Sequence, residues 1–231
     1  MYEKCEIDDR IRNGVKKTLS GQGYRIKNGK IRRRETNFGS PPDGPWVFIR
    51  GMDNRRCGMW VLYHDNFKFL PEYCATKCWK VVVRVMKIKD LYMLYDIAKA
   101  LNLPSKVGIN ARDWVRGPYL GFFYSTSKDE AKQQYDVIKK SLIPHIKEFD
   151  ILYKQKCTEM EINGFKTDPL LEEKCECMFA PFEDENRTAA WNISLIMDEW
   201  ERFALKIGDE TATYGGYELK TYEPYKQRST D

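Results

Sequence analysis

From Trp79 onward the hydrophobic positions change period in a regular order. Trp79–Met86 (WKVVVRVM) alternates, with Trp79, Val81, Val83 and Val85 on one face, as a half-buried strand does. Leu91, Leu94, Tyr95, Ala98 and Leu101 then recur at helical spacing. Asp90 stands where a cap would, and Pro104 where the helix must stop. Lys106–Asn110 and Tyr119–Tyr124 read as two strands joined by a polar loop. Ser127-Lys-Asp-Glu130 is a capping box, and it opens a helix with Ala131, Tyr135, Ile138 and Leu142 on one side. Phe149–Tyr153 reads as the last strand of the series.

Strand, helix, strand, strand, helix, strand is the ferredoxin-like plan. The expected fold class is therefore α+β. A ferredoxin-like core over residues 79–156 carries an N-terminal helix-hairpin extension and a C-terminal helix. Right-handed crossovers place the first strand beside the last, antiparallel. The start of one then lies next to the end of the other. Cys78 immediately precedes the first strand and Cys157 follows the last. Cys74 is one short loop from Cys78, and Cys57 lies upstream. The topology thus predicts one four-thiolate cluster of Cys57, Cys74, Cys78 and Cys157.

The flanks divide the chain into three parts. Residues 1–34 form a basic extension. Ile7–Leu19 reads as a helix carrying Lys16 and Lys17, and Tyr24–Arg32 reads as a hairpin turning at Asn28-Gly29. Residues 35–160 hold the core and a cysteine-bearing insert, in which Trp46–Arg50 and Met59–Tyr63 look like short strands. Residues 161–231 are irregular up to Glu185. An apolar helix with Trp191, Leu195, Ile196, Trp200, Phe203 and Leu205 then runs to Ile207, and a polar tail follows. Such a helix should dock on the domain or on a partner, so residues 187–231 are the candidate surface for a protein partner or a homo-oligomer.

Charge follows the same division. Residues 1–34 hold 11 basic and 4 acidic side chains, whereas residues 160–231 hold 8 basic and 16 acidic. A basic front suits nucleic acid, because Arg and Lys neutralise phosphates whatever the sequence. The candidate contacts are Lys16, Lys17, Arg25, Lys27, Lys30, Arg32, Arg33 and Arg34. The competing reading is a solvated hairpin at the domain edge. Hydrophobic residues make up 42% of the 231 residues, enough to build a core, yet no run of about 18 apolar residues exists to span a membrane. The charged N-terminus does not read as a signal peptide. The expected setting is intracellular, either cytoplasmic or in a virion, where thiols stay reduced.

In that setting seven cysteines point to metal ligands or to small buried hydrophobes rather than to disulfides. Cys-x3-Cys alone is a weak signal; the convergence of Cys157 strengthens it. His64 is a reserve ligand, and both Zn²⁺ and a [4Fe–4S] cluster suit four thiolates. Arg55 and Arg56 would offset the charge of the cluster. Cys5, Cys175 and Cys177 fit no common site. The second sheet face would present Lys80, Val82, Arg84 and Met86 with aromatics of the Tyr119–Tyr124 strand, and the chain's own flanking segments are expected to cover it rather than leave it open for base stacking. Arg116–Tyr124 has a passing likeness to an RNA-binding strand, but Pro118 breaks its register. Asn110–Arg116 is either a contact loop or a self-paired Arg–Asp turn. No phosphate loop, nucleophile elbow or paired-carboxylate motif suggests an enzyme, and only two histidines are present.

Gly44-Pro-Trp, Arg50-Gly-Met-Asp-Asn, Pro71-Glu-Tyr-Cys74 and Cys78-Trp-Lys-Val-Val-Val-Arg84 resemble segments of small uncharacterised proteins of bacteriophage and prophage genomes. The resemblance covers roughly residues 35–160. It implies a viral or mobile-element setting and carries no activity. Together these features lead to a metal-binding, nucleic-acid-associated accessory protein. The alternatives are a structural subunit of an assembly and an iron–sulfur redox or sensing protein.

Overall fold

The computed structural model describes residues 17, 24–27, 30–33, 45–51, 64, 68–111, 115–158, 166–170, 172, 190–214 and 217–218. In order the elements are β1 (Tyr24–Lys27), β2 (Lys30–Arg33), β3 (Trp46–Arg50), β4 (Phe69–Leu70), α1 (Glu72–Thr76), β5 (Trp79–Val85), α2 (Ile88–Leu101) and β6 (Ser105–Ile109). They continue with β7 (Tyr119–Ser125), α3 (Lys128–Leu142), β8 (Phe149–Gln155), β9 (Lys166–Thr167), α4 (Ala190–Ile207), β10 (Thr213–Tyr214) and β11 (Tyr217–Glu218). The architecture is mixed α+β around a five-stranded sheet of order β3-β6-β7-β5-β8, with all neighbouring strands antiparallel.

β5 lies between β7 and β8, and Trp79 pairs with Ser125 on one side and Gln155 on the other. The alternation read from the sequence holds: Val81, Val83 and Val85 are wholly buried in the main core. Leu91, Leu94 and Ala98 of α2, and Ile138 and Leu142 of α3, fill the same core from the helical layer. Gly121 lets α2 lie close to the sheet, since a Cβ there would come within 3.0 Å of Leu94 Cδ2.

The helix ends differ in part from expectation. α2 begins at Ile88, not after an Asp90 cap, and Lys87 at its N-cap makes no side-chain cap bond. The cap arrives from 121 residues away: Asp209 Oδ2 accepts the Ile88 N–H at 2.6 Å. α2 ends ahead of Pro104 because Asn102 turns the chain in the left-handed region at φ 49°, which a short polar side chain tolerates. At α3, Ser127 Oγ accepts the Glu130 N–H at 3.2 Å. The reciprocal bond falls one residue earlier than in a capping box, with Glu130 Oε2 accepting from Thr126 N–H at 2.7 Å.

α4 docks on the chain's own core, where Ile196, Trp200 and Ala204 are fully buried. Trp200 Nε1 donates to the Pro45 carbonyl at 2.8 Å, joining α4 to the start of β3. Beyond the helix, Asp209 accepts from Tyr119 Oη at 2.9 Å, and within it Glu201 accepts from Tyr92 Oη at 2.7 Å and from the Thr213 N–H at 2.7 Å. Residues 209–214 are thereby strapped to the core, and Thr213 and Tyr214 pair with Glu218 and Tyr217 in the β10–β11 pair. Among the described residues, no helix is long and apolar enough to cross a membrane.

The second face of the sheet is not uncovered. Lys80 is 5% exposed, Val82 4% and Leu120 1%, so this face is covered over β5 and β7, as expected of it. At its far edge Lys106 Nζ stands 4.2 Å from the Trp46 ring centroid and 5.5 Å from that of Phe122. Those contacts fasten β3 onto β6.

Candidate functional site

The site forms where β5 begins and β8 ends, and α1 shapes it. The Glu72 N–H at the start of α1 is held by Glu172 Oε2 at 2.7 Å. At its other end Lys77 N–H and Cys78 N–H both donate to the Tyr73 carbonyl at 2.9 Å. That tight exit turns the chain directly from Cys74 in the helix, through Cys78, into β5. Both sulfur-bearing residues are 2% exposed. β4 runs under them and pairs in parallel with β9, Phe69 opposite Lys166 and Leu70 opposite Thr167.

β8 closes the site from the other side. Gln155 Nε2 donates to the Thr76 carbonyl at 2.6 Å, and the Lys156 N–H donates to the Cys78 carbonyl at 3.0 Å. Lys156 adopts φ 63°, a left-handed conformation costing roughly 1–2 kcal/mol for a non-glycine residue. Its bond to Cys78 offsets that cost and turns the chain back, so that Cys157 packs on the cluster. The result is one cluster of Leu70, Tyr73, Cys74 and Cys78, with Tyr124 and Cys157 against it. All three cysteines are thiols.

The site also holds a cation that the sequence reading placed elsewhere. Lys80 Nζ donates to Cys157 Sγ at 3.2 Å and stands 5.3 Å from the Phe122 ring centroid. Taking an ammonium out of water costs several kcal/mol. A sulfur acceptor and a π face are partners that recover part of it. One sequence signal could have found Lys80. It sits two residues after Cys78, on the strand that the fold plan makes central, where a lysine has no open edge to reach. Lys154 is directly opposite Lys80 on β8 and donates to Thr158 Oγ1 at 3.1 Å.

Three of the four cysteines expected to meet are thus in one cluster, drawn from two stretches of chain 79 positions apart. Cys57 lies outside the described residues, as do Arg55, Arg56, Cys5, Cys175, Cys177 and, in the Asn110–Arg116 loop, Arg112, Asp113 and Trp114. His64 is half-buried, and its carbonyl accepts from the Lys68 N–H at 3.0 Å. Among the described residues, no three His, Cys, Asp or Glu side chains form a group able to hold a metal ion. The three thiols by themselves are therefore an incomplete donor set. Cys74 and Cys78 are buried, Cys157 is half-buried, and Cys157 accepts a hydrogen bond from Lys80.

Of the expected nucleic-acid contacts, Lys17 is exposed, and Arg25, Lys27, Lys30, Arg32 and Arg33 fall on the β1–β2 ribbon. The register sets Arg25 opposite Arg32 and Lys27 opposite Lys30. Lys16 and Arg34 lie outside the described residues. Comparison with protein-family models, with curated proteins and with solved structures found no match.

Proposed function

We propose that this chain is a metal-stabilised protein that associates with nucleic acid. In this reading Cys57, Cys74, Cys78 and Cys157 hold Zn²⁺ or a [4Fe–4S] cluster. The ion or cluster ties the segment before β5 to the end of β8 and supplies the stability of a cross-link, or, as a cluster, a one-electron couple. The observation that carries the reading is the meeting of the half-buried Cys157, to which Lys80 donates, with the buried Cys74 and Cys78 in one cluster. The order β6-β7-β5-β8 supports reading residues 79–156 as the ferredoxin-like plan, to which β3 adds a fifth strand.

The nucleic-acid half rests on the β1–β2 register. Like charges directly opposite one another destabilise a ribbon, and this ribbon pairs Arg with Arg and Lys with Lys. A polyanion laid along positions 25, 27, 30 and 32 turns that repulsion into attraction. The viral or mobile-element setting implied by the resemblance stays part of the proposal. The alternative of an assembly subunit held by the last helix is weaker, because α4 spends Ile196, Trp200 and Ala204 on the protein's own core.

Metal content and a visible spectrum, on protein purified without oxygen, test the reading in wild type and Cys78→Ser. One zinc per chain without colour, lost in Cys78→Ser, is the outcome for a structural site. A brown protein that bleaches on reduction moves redox or sensing to the front. No metal in wild type rejects the metal half outright.

A further inference from the structure

We infer that β8 is a seam between two copies of this chain, paired antiparallel about Leu152 so that the sheet of one protomer continues into that of its partner. The inference stands apart from the metal and nucleic-acid readings above.

The five-stranded sheet has two edge strands, β3 and β8. β3 has five residues, and its register shifts between Phe48 and Arg50. An irregularity of that kind is one way a protein closes an edge to further pairing. β8 has none. It runs for seven residues without proline or glycine and pairs with β5 in one unbroken register from Phe149 to Gln155. Among the described residues, no strand pairs with its outer side. The Lys156 N–H donates to the Cys78 carbonyl, and antiparallel bonding alternates along a strand. Asp150, Leu152 and Lys154 therefore turn their backbone groups toward β5. Phe149, Ile151, Tyr153 and Gln155 turn theirs outward, and such a row is a template for another strand.

The charge order along the strand selects a second copy as that partner. Phe149, Ile151 and Tyr153 pack on the main core, so the alternate positions lie on the other face. With the residues that flank the strand they read Glu148, Asp150, Leu152, Lys154, Lys156: two acids, an apolar centre and two bases. Turned antiparallel on itself about Leu152, this row sets Asp150 opposite Lys154 twice and Leu152 opposite Leu152, and brings Glu148 toward Lys156. The same register makes Phe149–Gln155 and Ile151–Tyr153 the hydrogen-bonded pairs, as their outward backbone groups require. An in-register parallel pairing would oppose like charges instead. Charges that guard an edge repel a second copy, whereas these attract one, and a self-complementary patch is what a two-fold interface needs. Glu148 and Asp150 are exposed, and Leu152, Lys154 and Lys156 are half-buried. Lys154 donates to Thr158 Oγ1, and an ammonium carries three donors. Half-buried aromatics stand at the same edge, Tyr153 lying 6.3 Å from Trp79 and 6.0 Å from Tyr135 between ring centroids. Interfaces are enriched in such residues.

The test is the mass of the full-length protein by sedimentation across a concentration series, in reductant and with nucleic acid removed. Wild type should pass from monomer to dimer. Asp150→Lys and Lys154→Asp each turn two attractive pairs into two repulsive ones, and each should raise the dimer dissociation constant by about tenfold or more. Mixed in equal amounts, the two variants should form a heterodimer, because each supplies the charge that the other lacks. The Asp150→Lys/Lys154→Asp double variant should dimerise as wild type does. A role confined to the monomer produces neither rescue. If either variant does not fold, Glu148→Lys and Lys156→Glu carry the same comparison.

A wild type that stays monomeric at every concentration overturns the inference. So do single variants that dimerise as tightly as wild type, and so does a mixture that forms no heterodimer. Each of these outcomes leaves the metal and nucleic-acid readings standing.

Discussion

Asp209 joins two distant parts of the chain through four hydrogen bonds, from Ile88 N–H, Tyr119 Oη, Thr211 N–H and Thr211 Oγ1. Burial pushes its carboxyl pKa up, but those donors outweigh it, and the group lies below the ordinary aspartate value. A depressed folded pKa means stability that is complete above the unfolded value and lost as pH falls through the folded one. Wild type should therefore weaken below about pH 4, and Asp209→Asn should flatten that part of the profile in urea unfolding. Asp209→Ala, which leaves the Tyr119 hydroxyl and the α2 N-terminus without their acceptor, should cost about 1–3 kcal/mol at neutral pH. Burial, followed by the bond to Asp209, holds the Tyr119 hydroxyl above the ordinary phenol range, so it stays a donor at neutral pH. None of this was legible at Asp209 itself. An aspartate after a helix-ending glycine reads as a turn residue, and only the path of the chain shows whose N–H it meets.

Pro45, Gly108 and Trp200 decide how the added strand and the last helix meet the sheet. The Pro45 carbonyl accepts from Ile109 N–H at 3.2 Å and from Trp200 Nε1 at 2.8 Å. A Cβ at Gly108 would lie 2.0 Å from that same oxygen, so Gly108→Ala must push β3 away. The expected loss is about 1–3 kcal/mol, the range for overpacked sites, read as a lowered melting temperature. Trp200→Ala truncates the bulkiest fully buried side chain among the described residues and removes a donor to Pro45, so about 3–5 kcal/mol should be lost in denaturant unfolding. The apolar stripe of α4 was visible in the sequence, and its docking was expected. That it would reach Pro45 and cover Tyr92 of α2, 5.9 Å between ring centroids, was not. A hydrophobic stripe specifies that a helix is covered, not what covers it.

At the scale of the whole molecule, charge and thiols lie on different parts of the chain, so the two halves of the proposed function can be separated. If positions 25, 27, 30 and 32 each meet a phosphate, the logarithm of the binding constant should fall with the logarithm of salt at a slope of about −3.6. Reversing the four to Glu should abolish binding in a filter or anisotropy assay while leaving the metal content and melting temperature of the sheet unchanged. Binding that survives the reversal removes the nucleic-acid half of the proposal. Cys78→Ser should do the opposite in part, lowering thermal stability through loss of the metal while the ribbon keeps its charge.

The amino-acid order determined the elements from Trp79 to Gln155, because periods of 2 and 3.6 residues are local and survive in any context. It also determined that β5 and β8 would be neighbours, because crossover handedness is nearly invariant, and the closeness of Cys78 to Cys157 followed. The tertiary structure alone decided the helix cap from Asp209 and the meeting of Lys80 with Cys157. The first depends on a partner 121 residues away and the second on one 77 residues away. Neighbouring residues carry no trace of such a partner, since burial energy depends on what the folded chain brings near and not on what precedes it in sequence.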